Sequence, residues 1–332
     1  MFGSKKVRIE DRAFGALRSA SPAVAPRVEF QARGRETKVD LRRFCSPVED
    51  QGKLGSCNAC AIVGALEFLI IKSGKPKVDL SPLFVYFNGR HLSGTENRDA
   101  GLLCHHATAS IMAYGACEEK LWPYKVDKFA VMPPRPCYEE ARKFDAVQYG
   151  RLGSSEAAKV SLSEGVPVVF GFDIPRGYYD AAETTGLMPD VGAFDNQPQA
   201  GHAMLIVGYD DTEKTWLARN SWGEDYGDKG YCRIPYGLAD KYVWNDELWA
   251  IGALESMDRA RLVGSTVEEA VRDVQARGAE QANAALRKLG EEIGADIKSR
   301  VETARTSIRD RLRAQEDELA RKRDRGNDQD KR

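Results

Sequence analysis

No run of apolar residues in this chain of 332 approaches the roughly 20 that a bilayer span requires, so no transmembrane segment is expected. Net charge is almost missing: 49 Lys and Arg against 50 Asp and Glu leave −1, which gives no electrostatic case for nucleic acid as a partner. The opening stretch MFGSKKVRIEDRAFGALRSASPAV has basic residues but no apolar core, because Glu10, Asp11 and Arg12 interrupt it. That excludes a Sec-type signal peptide and makes a cytoplasmic, reducing location the expectation, with thiols rather than a disulfide framework. The seven cysteines are also an odd number, so complete pairing within one chain is impossible. Histidine is scarce, at four, and each one can be weighed alone.

What is present divides into three regimes. Residues 1–38 mix Arg, Ala, Gly and Pro without sustained periodicity and read as an N-terminal arm or short prosegment. Residues 39–254 hold every cysteine and nearly all aromatics, with the 42% apolar and 30% charged makeup of the whole chain typical of a soluble globular protein. Residues 255–332 contain no aromatic, proline or cysteine after Glu255 and cannot build a core of their own. In that last segment Leu286, Leu289, Ile293, Ile297, Val301, Ala304, Ile308 and Leu312 recur at close to 3.67 residues per turn, which predicts a long amphipathic helix. Residues 265–320 are thereby a candidate for self-association or for a partner helix, and RKRDRGNDQDKR at the end reads as disordered.

Within the central region, 57–71 (CNACAIVGALEFLII) predicts a buried helix, with Ser56 placed to cap it. The stretches 166–172, 203–209, 215–219 and 230–234 are short, β-branched or aromatic, bounded by turn residues, and predict strands. Helical material first and sheet afterwards makes the fold class α+β, in two segregated halves.

Cys57 falls where that helix begins, and unpaired amide groups and the helix dipole at such a position favour a thiolate. Cys60 makes the pair a CxxC, the spacing of disulfide oxidoreductases, but the lead-in PVEDQGKLGS is a polar loop rather than a strand. Cys60 is read as a packed thiol one turn into the helix. His91 lies in a loop-like segment, and the adjacent Cys104, His105 and His106 lack the spacing of a structural zinc site. His202 stands at the mouth of a predicted strand whose hairpin partner ends near Asn220. A turn centred near 211 would pair positions summing to about 422, which sets His202 opposite Asn220. An imidazole beside an amide is the base and orienter that an activated thiol needs.

The segments 51–57 (QGKLGSC), 201–203 (GHA), 219–223 (RNSWG) and 230–231 (GY) together resemble the papain family of cysteine peptidases. The order Cys, His, Asn matches, at offsets of 145 (202 − 57) and 163 (220 − 57) residues. The resemblance covers about residues 40–250. It implies a two-lobed papain-like fold, a helical lobe carrying the nucleophile against an antiparallel β lobe, to which the C-terminal helix is appended. It implies a polypeptide substrate cleaved through a thioester, with no cofactor and no metal. Cys57 is then the nucleophile, His202 its base and acid, Asn220 the orienter, and Trp222 a shield over their hydrogen bond. Gln51 would donate to the oxyanion together with the Cys57 N–H. Departures are Asn58 in place of an aromatic, Leu54 in place of a cysteine, and DAGLLCHHA where a glycine-rich segment usually carries a disulfide partner. These point to a reduced, prokaryote-like branch. Two other functions fit the same residues: an inactive scaffold recruiting partners through its helical tail, and thiol–disulfide exchange at Cys57 and Cys60.

Overall fold

A computed structural model of the chain describes residues 11–18, 27–30, 35–144, 147–197, 199–253 and 260–263, with isolated positions between 269 and 276. The apolar stripe expected at 286–312, and most of 265–320, lie outside the described residues. The helices are α1 (Cys57–Lys72), α2 (Pro82–Leu92), α3 (Cys104–Tyr114), α4 (Arg135–Ala141), α5 (Ser155–Ser163), α6 (Arg176–Ala182) and α7 (Tyr236–Tyr242). Strands β1 (Ala16–Leu17), β2 (Arg27–Phe30), β3 (Lys38–Asp40) and β4 (Leu102–Leu103) precede or interleave the first helices. The later strands are β5 (Val147–Arg151), β6 (Val168–Pro175), β7 (Gln199–Asp210), β8 (Thr215–Arg219), β9 (Tyr231–Pro235), β10 (Val243–Ala253) and β11 (Ala260–Val263).

The α+β reading holds: α1 to α3 pack together, and the large sheet follows in the order β11-β2-β5-β10-β6-β7-β8-β9, with β3 added beside β7. Every pairing in it is antiparallel except β2 with β5. No helix among the described residues is long and apolar enough to cross a membrane.

Two stretches differ from the sequence reading. Residues 27–30, read as arm, and 260–263, read as the start of a helical extension, instead pair with each other at the sheet edge, Phe30 opposite Ala260. Both are four-residue strands, too short to show a period against the charged background around them, and an exposed sheet edge recruits them by backbone bonding.

α1 is largely apolar, Asn58 and Glu67 apart, and residues 57–69 are all buried, as expected for a helix enclosed by its neighbours. It packs on α2 and α3 and across β6, β7 and β10. Ser56 occupies the cap position but does not bond back to the helix. Its hydroxyl is drawn instead to the Tyr124 hydroxyl, at 2.5 Å. Midway along α1, Gly64 leaves room for the Arg219 guanidinium: a Cβ there would stand 2.1 Å from its Nη1. Arg219 is buried and donates through Nη2 to Ser46 Oγ (3.2 Å) and to the Pro47 carbonyl. One cation thus crosses from the end of β8, past the nucleophile helix, to the loop before it.

That region also gathers carboxyls. Glu49, Glu67 and Asp79 approach within 4.8 Å of one another, and Glu67 accepts from the Leu80 N–H (2.7 Å) and from Ser46. Burial, and then for Glu49 the charge of Glu67, pushes Glu49 up to about 8; burial pushes Glu67 and Glu119 up to about 7. These groups keep protons in the folded chain where the unfolded chain, at an ordinary value of 4.5, has lost them, so stability falls as pH rises through this window. His202, pushed down from 6.5 to about 4 by burial, acts in the opposite direction, but only below 6.5. The thermal midpoint is therefore expected to fall from pH 6.5 to about 9, and Glu49→Gln to flatten the fall. Calorimetry across that range checks it, and a midpoint that rose would contradict the assignment.

Candidate active site

Cys57 is the first residue of α1 and is fully buried. The backbone amides of Gly15, Ala203 and Asn58, with that of Cys57 itself, favour its thiolate. Ala203 directly follows His202 on β7, so the helix start and the strand meet at the thiol, where Ala16 and Trp244 complete the apolar surround.

The hairpin brings His202 and Asn220 together by a different register from the one expected. Leu205 pairs with Arg219 and Asp210 with Thr215, with a bulge between Ile206 and Gly208. The turn at 211–214 is longer than a tight hairpin, and Lys214 adopts φ +51° within it, which moves the centre of pairing toward 212 to 213. Asn220 follows the last residue of β8 and reaches His202 diagonally, with imidazole Nε2 2.8 Å from Oδ1. The same Oδ1 accepts the Ser221 N–H at 2.8 Å, which fixes the oxygen side of the amide. Nε2 therefore carries the ring proton and donates. Nδ1 is left with its lone pair, and it makes no hydrogen bond among the described residues.

Aromatic rings enclose this imidazole. Trp222 is tilted over it with centroids 5.1 Å apart, while Tyr179 (5.6 Å) and Phe172 (5.9 Å) meet it edge-on. Burial pushes His202 down to about 4, against the Asn220 bond, and the Arg12 charge adds to the fall. Burial likewise pushes the Cys57 thiol up to about 11, opposed by the N–H groups around it. Burial thus opposes the charged form of both groups in this closed arrangement.

Gln51 is buried and held from both ends. Its Oε1 accepts from the Ser221 hydroxyl (2.5 Å), its backbone N–H bonds to the Ser221 carbonyl (2.9 Å), and its own carbonyl accepts from Tyr124 (2.9 Å). Nε2 donates to the Leu54 carbonyl (2.9 Å) and to the Ala13 carbonyl (3.1 Å). The four residues singled out from the sequence, Cys57, His202, Asn220 and Gln51, thus converge on one place, with Ser221 tying the last two together.

The segment read as an N-terminal arm or short prosegment fills that place. Residues 12–17 cross it, and β1 pairs in parallel with β4, Ala16 opposite Leu102. Arg12 ion-pairs with Asp50 (2.6 Å), donates to the Trp222 carbonyl (3.0 Å) and stacks on that indole. Backbone contact is so close that a Cβ on Gly15 would lie 2.0 Å from the Gly55 oxygen, and one on Gly201 would lie 2.2 Å from the Ala16 oxygen. Arg12, Phe14 and Tyr179 all touch the site and stand far from its motifs in the chain, so no local pattern could have pointed to them.

Cys60 is buried one turn into α1, and all seven cysteines are unpaired. His105 and His106 are buried in α3. His91 pairs at 3.8 Å with Glu96 on the surface.

Comparison with known proteins gives this geometry a context. The family model described as papain family cysteine protease matches residues 36–250. A peptidase C1-like protein of Acanthamoeba polyphaga mimivirus is 36% identical over 210 residues, 60% of this chain and 66% of that one. A viral cathepsin of Mamestra configurata nucleopolyhedrovirus is 30% identical over 219 residues, 62% of this chain and 59% of its own length. This chain therefore spans somewhat less than two thirds of these relatives. Among solved structures, xylellain, a cysteine protease from Xylella fastidiosa, superposes with a TM-score of 0.67 at 27% identity, over 74% of this chain and 97% of that one. The family match runs through every segment that carries Gln51, Cys57, His202 and Asn220, and on that ground the chain belongs to the papain family of cysteine proteases.

Proposed function

We propose that this chain hydrolyses internal peptide bonds with Cys57 as nucleophile, His202 as base and acid, and Asn220 as orienter. The observation that carries the reading is the single tautomer imposed on His202, which leaves the lone pair on Nδ1, while the following residue, Ala203, packs against Cys57. Nδ1 takes the thiol proton and the sulfur attacks the scissile carbonyl. The oxyanion accepts from Gln51 Nε2 and from the Cys57 N–H, a helix-start amide without an intrahelical partner. Collapse breaks the C–N bond, and the imidazolium gives its proton to the leaving amine. Water, deprotonated by His202, then splits the thioester, releasing the acid and restoring the thiol. The seven unpaired cysteines support a reducing compartment as the place of action.

The arm makes this a latent enzyme. Ala13 occupies the Gln51 donor and residues 12–17 lie across the site, so the arm blocks the cleft. It also dries the site, which holds thiol and imidazole neutral. Once it leaves, water and the opposite charge restore the ion pair. Arg12 is the strongest latch, with a buried side chain on a partly exposed Asp50, and its charge opposes imidazolium formation.

Arg12→Ala should therefore raise the rate of Cys57 alkylation at pH 6 by about ten- to hundred-fold, the equivalent of about 1.5–3 kcal/mol for a charge-assisted bond. Mass spectrometry of the labelled thiol reads it, and an unchanged rate would mean that the arm is no barrier. In the Arg12→Ala background, Cys57→Ala should abolish cleavage of a fluorogenic peptide, and Gln51→Ala should cost about 100- to 1,000-fold in kcat. Cys60→Ala is expected to stay within a few-fold; a loss as large as that from Cys57→Ala would favour thiol–disulfide exchange instead.

A further inference from the structure

Phe14 of the arm does more than fill space, because the pocket it enters is part of the site. Its ring packs edge-on to Tyr179 with centroids 5.3 Å apart, at 90° to Trp222 (5.8 Å), and edge-on to His202 (5.7 Å). The Arg176 guanidinium carbon stands 5.1 Å from the centre of the same ring. Three aromatic walls and one cation at the mouth make a box suited to a flat π face. The walls are fixed. Tyr179 and Trp222 are buried, Tyr226 packs edge-on to Trp222 (5.0 Å), and its hydroxyl donates to the Tyr179 carbonyl (3.2 Å).

Where a substrate side chain would meet this box follows from proton transfer. The imidazole must face the nitrogen it protonates, so the residue that begins the departing fragment lies along the His202 wall. That wall is one side of the box. The arm presents Phe14 there directly after the Ala13 carbonyl, which Gln51 Nε2 holds as it would a reacting carbonyl.

We propose that Tyr179 and Arg176, set beside the Trp222 and His202 walls, make the position immediately after the cleaved bond select Phe or Tyr. This rests on the peptidase reading and adds a specificity to it. An aliphatic side chain would fill the volume but lose the ring contacts, and alanine would leave the box solvated.

The test uses the full chain with Phe14→Ala, which vacates the box, and Phe14→Leu as a second variant that keeps most of the buried volume. Peptides identical except for Phe, Tyr, Leu or Ala after the cleaved bond are compared by kcat/KM. Phe and Tyr should exceed Ala by about tenfold or more, with Leu between. In parallel, a peptide copying residues 11–18 is added in trans and Cys57 alkylation is followed, a readout that needs no turnover. That peptide should protect the thiol of either variant, and its Phe-to-Ala copy should protect at least about tenfold more weakly. Cleavage without preference, or equal protection by both peptides, overturns the subsite. If no peptide is cleaved, the peptidase reading fails on its own, while the protection pair still decides whether the box recognises an aromatic ring.

Discussion

The donor bond from His202 Nε2 to Asn220 Oδ1 is the constraint on which the rest of the site depends. A neutral imidazole has two tautomers, and only one leaves a lone pair on Nδ1. The choice is made by an amide that cannot turn, because its oxygen is claimed by the Ser221 N–H as well. Trp222 keeps water from competing for that oxygen. Ser221 reaches further, since its hydroxyl and carbonyl both hold Gln51. His202 and Gln51 are thus both held by one short stretch after β8.

Electrostatics explain why the same residues can rest unreacted. A thiolate and an imidazolium stabilise each other where water and helix-end amides surround them, and burial works against both ions. With the arm across the cleft, burial opposes both ions. In the latent form proposed above, the arm acts on the charge state of the site as well as on access to it. Its hold is specific because Gly15, Gly55 and Gly201 let backbone approach backbone with no side chain between.

How much of this the sequence disclosed follows from the range of each signal. The nucleophile helix and four strands were legible because apolar composition and turn residues act locally; the segment 215–219 coincides with β8. Cys57, His202, Asn220 and Gln51 were legible because each stands inside a short motif. The hairpin register was not, since it turns on a bulge and one positive φ at Lys214 that no spacing rule encodes. The cap at Ser56 failed because a tyrosine 68 residues away competes for its hydroxyl. Strands β2 and β11 were missed because two four-residue segments, more than 200 positions apart, acquire meaning only when paired. Phe14 and Tyr179 were invisible for the same reason.

The passage of Arg219 over Gly64 has a consequence for how the two halves of the molecule stay aligned. The guanidinium fits only where α1 lacks a side chain, and it ends on the Ser46 and Pro47 segment that leads toward Gln51. Helix, hairpin and loop are therefore indexed against one another like parts sharing a dowel. Sliding the helix by a single residue would bring a side chain against the cation, so the sulfur and the ring can separate only by a rigid displacement of whole elements, never by slippage along the seam.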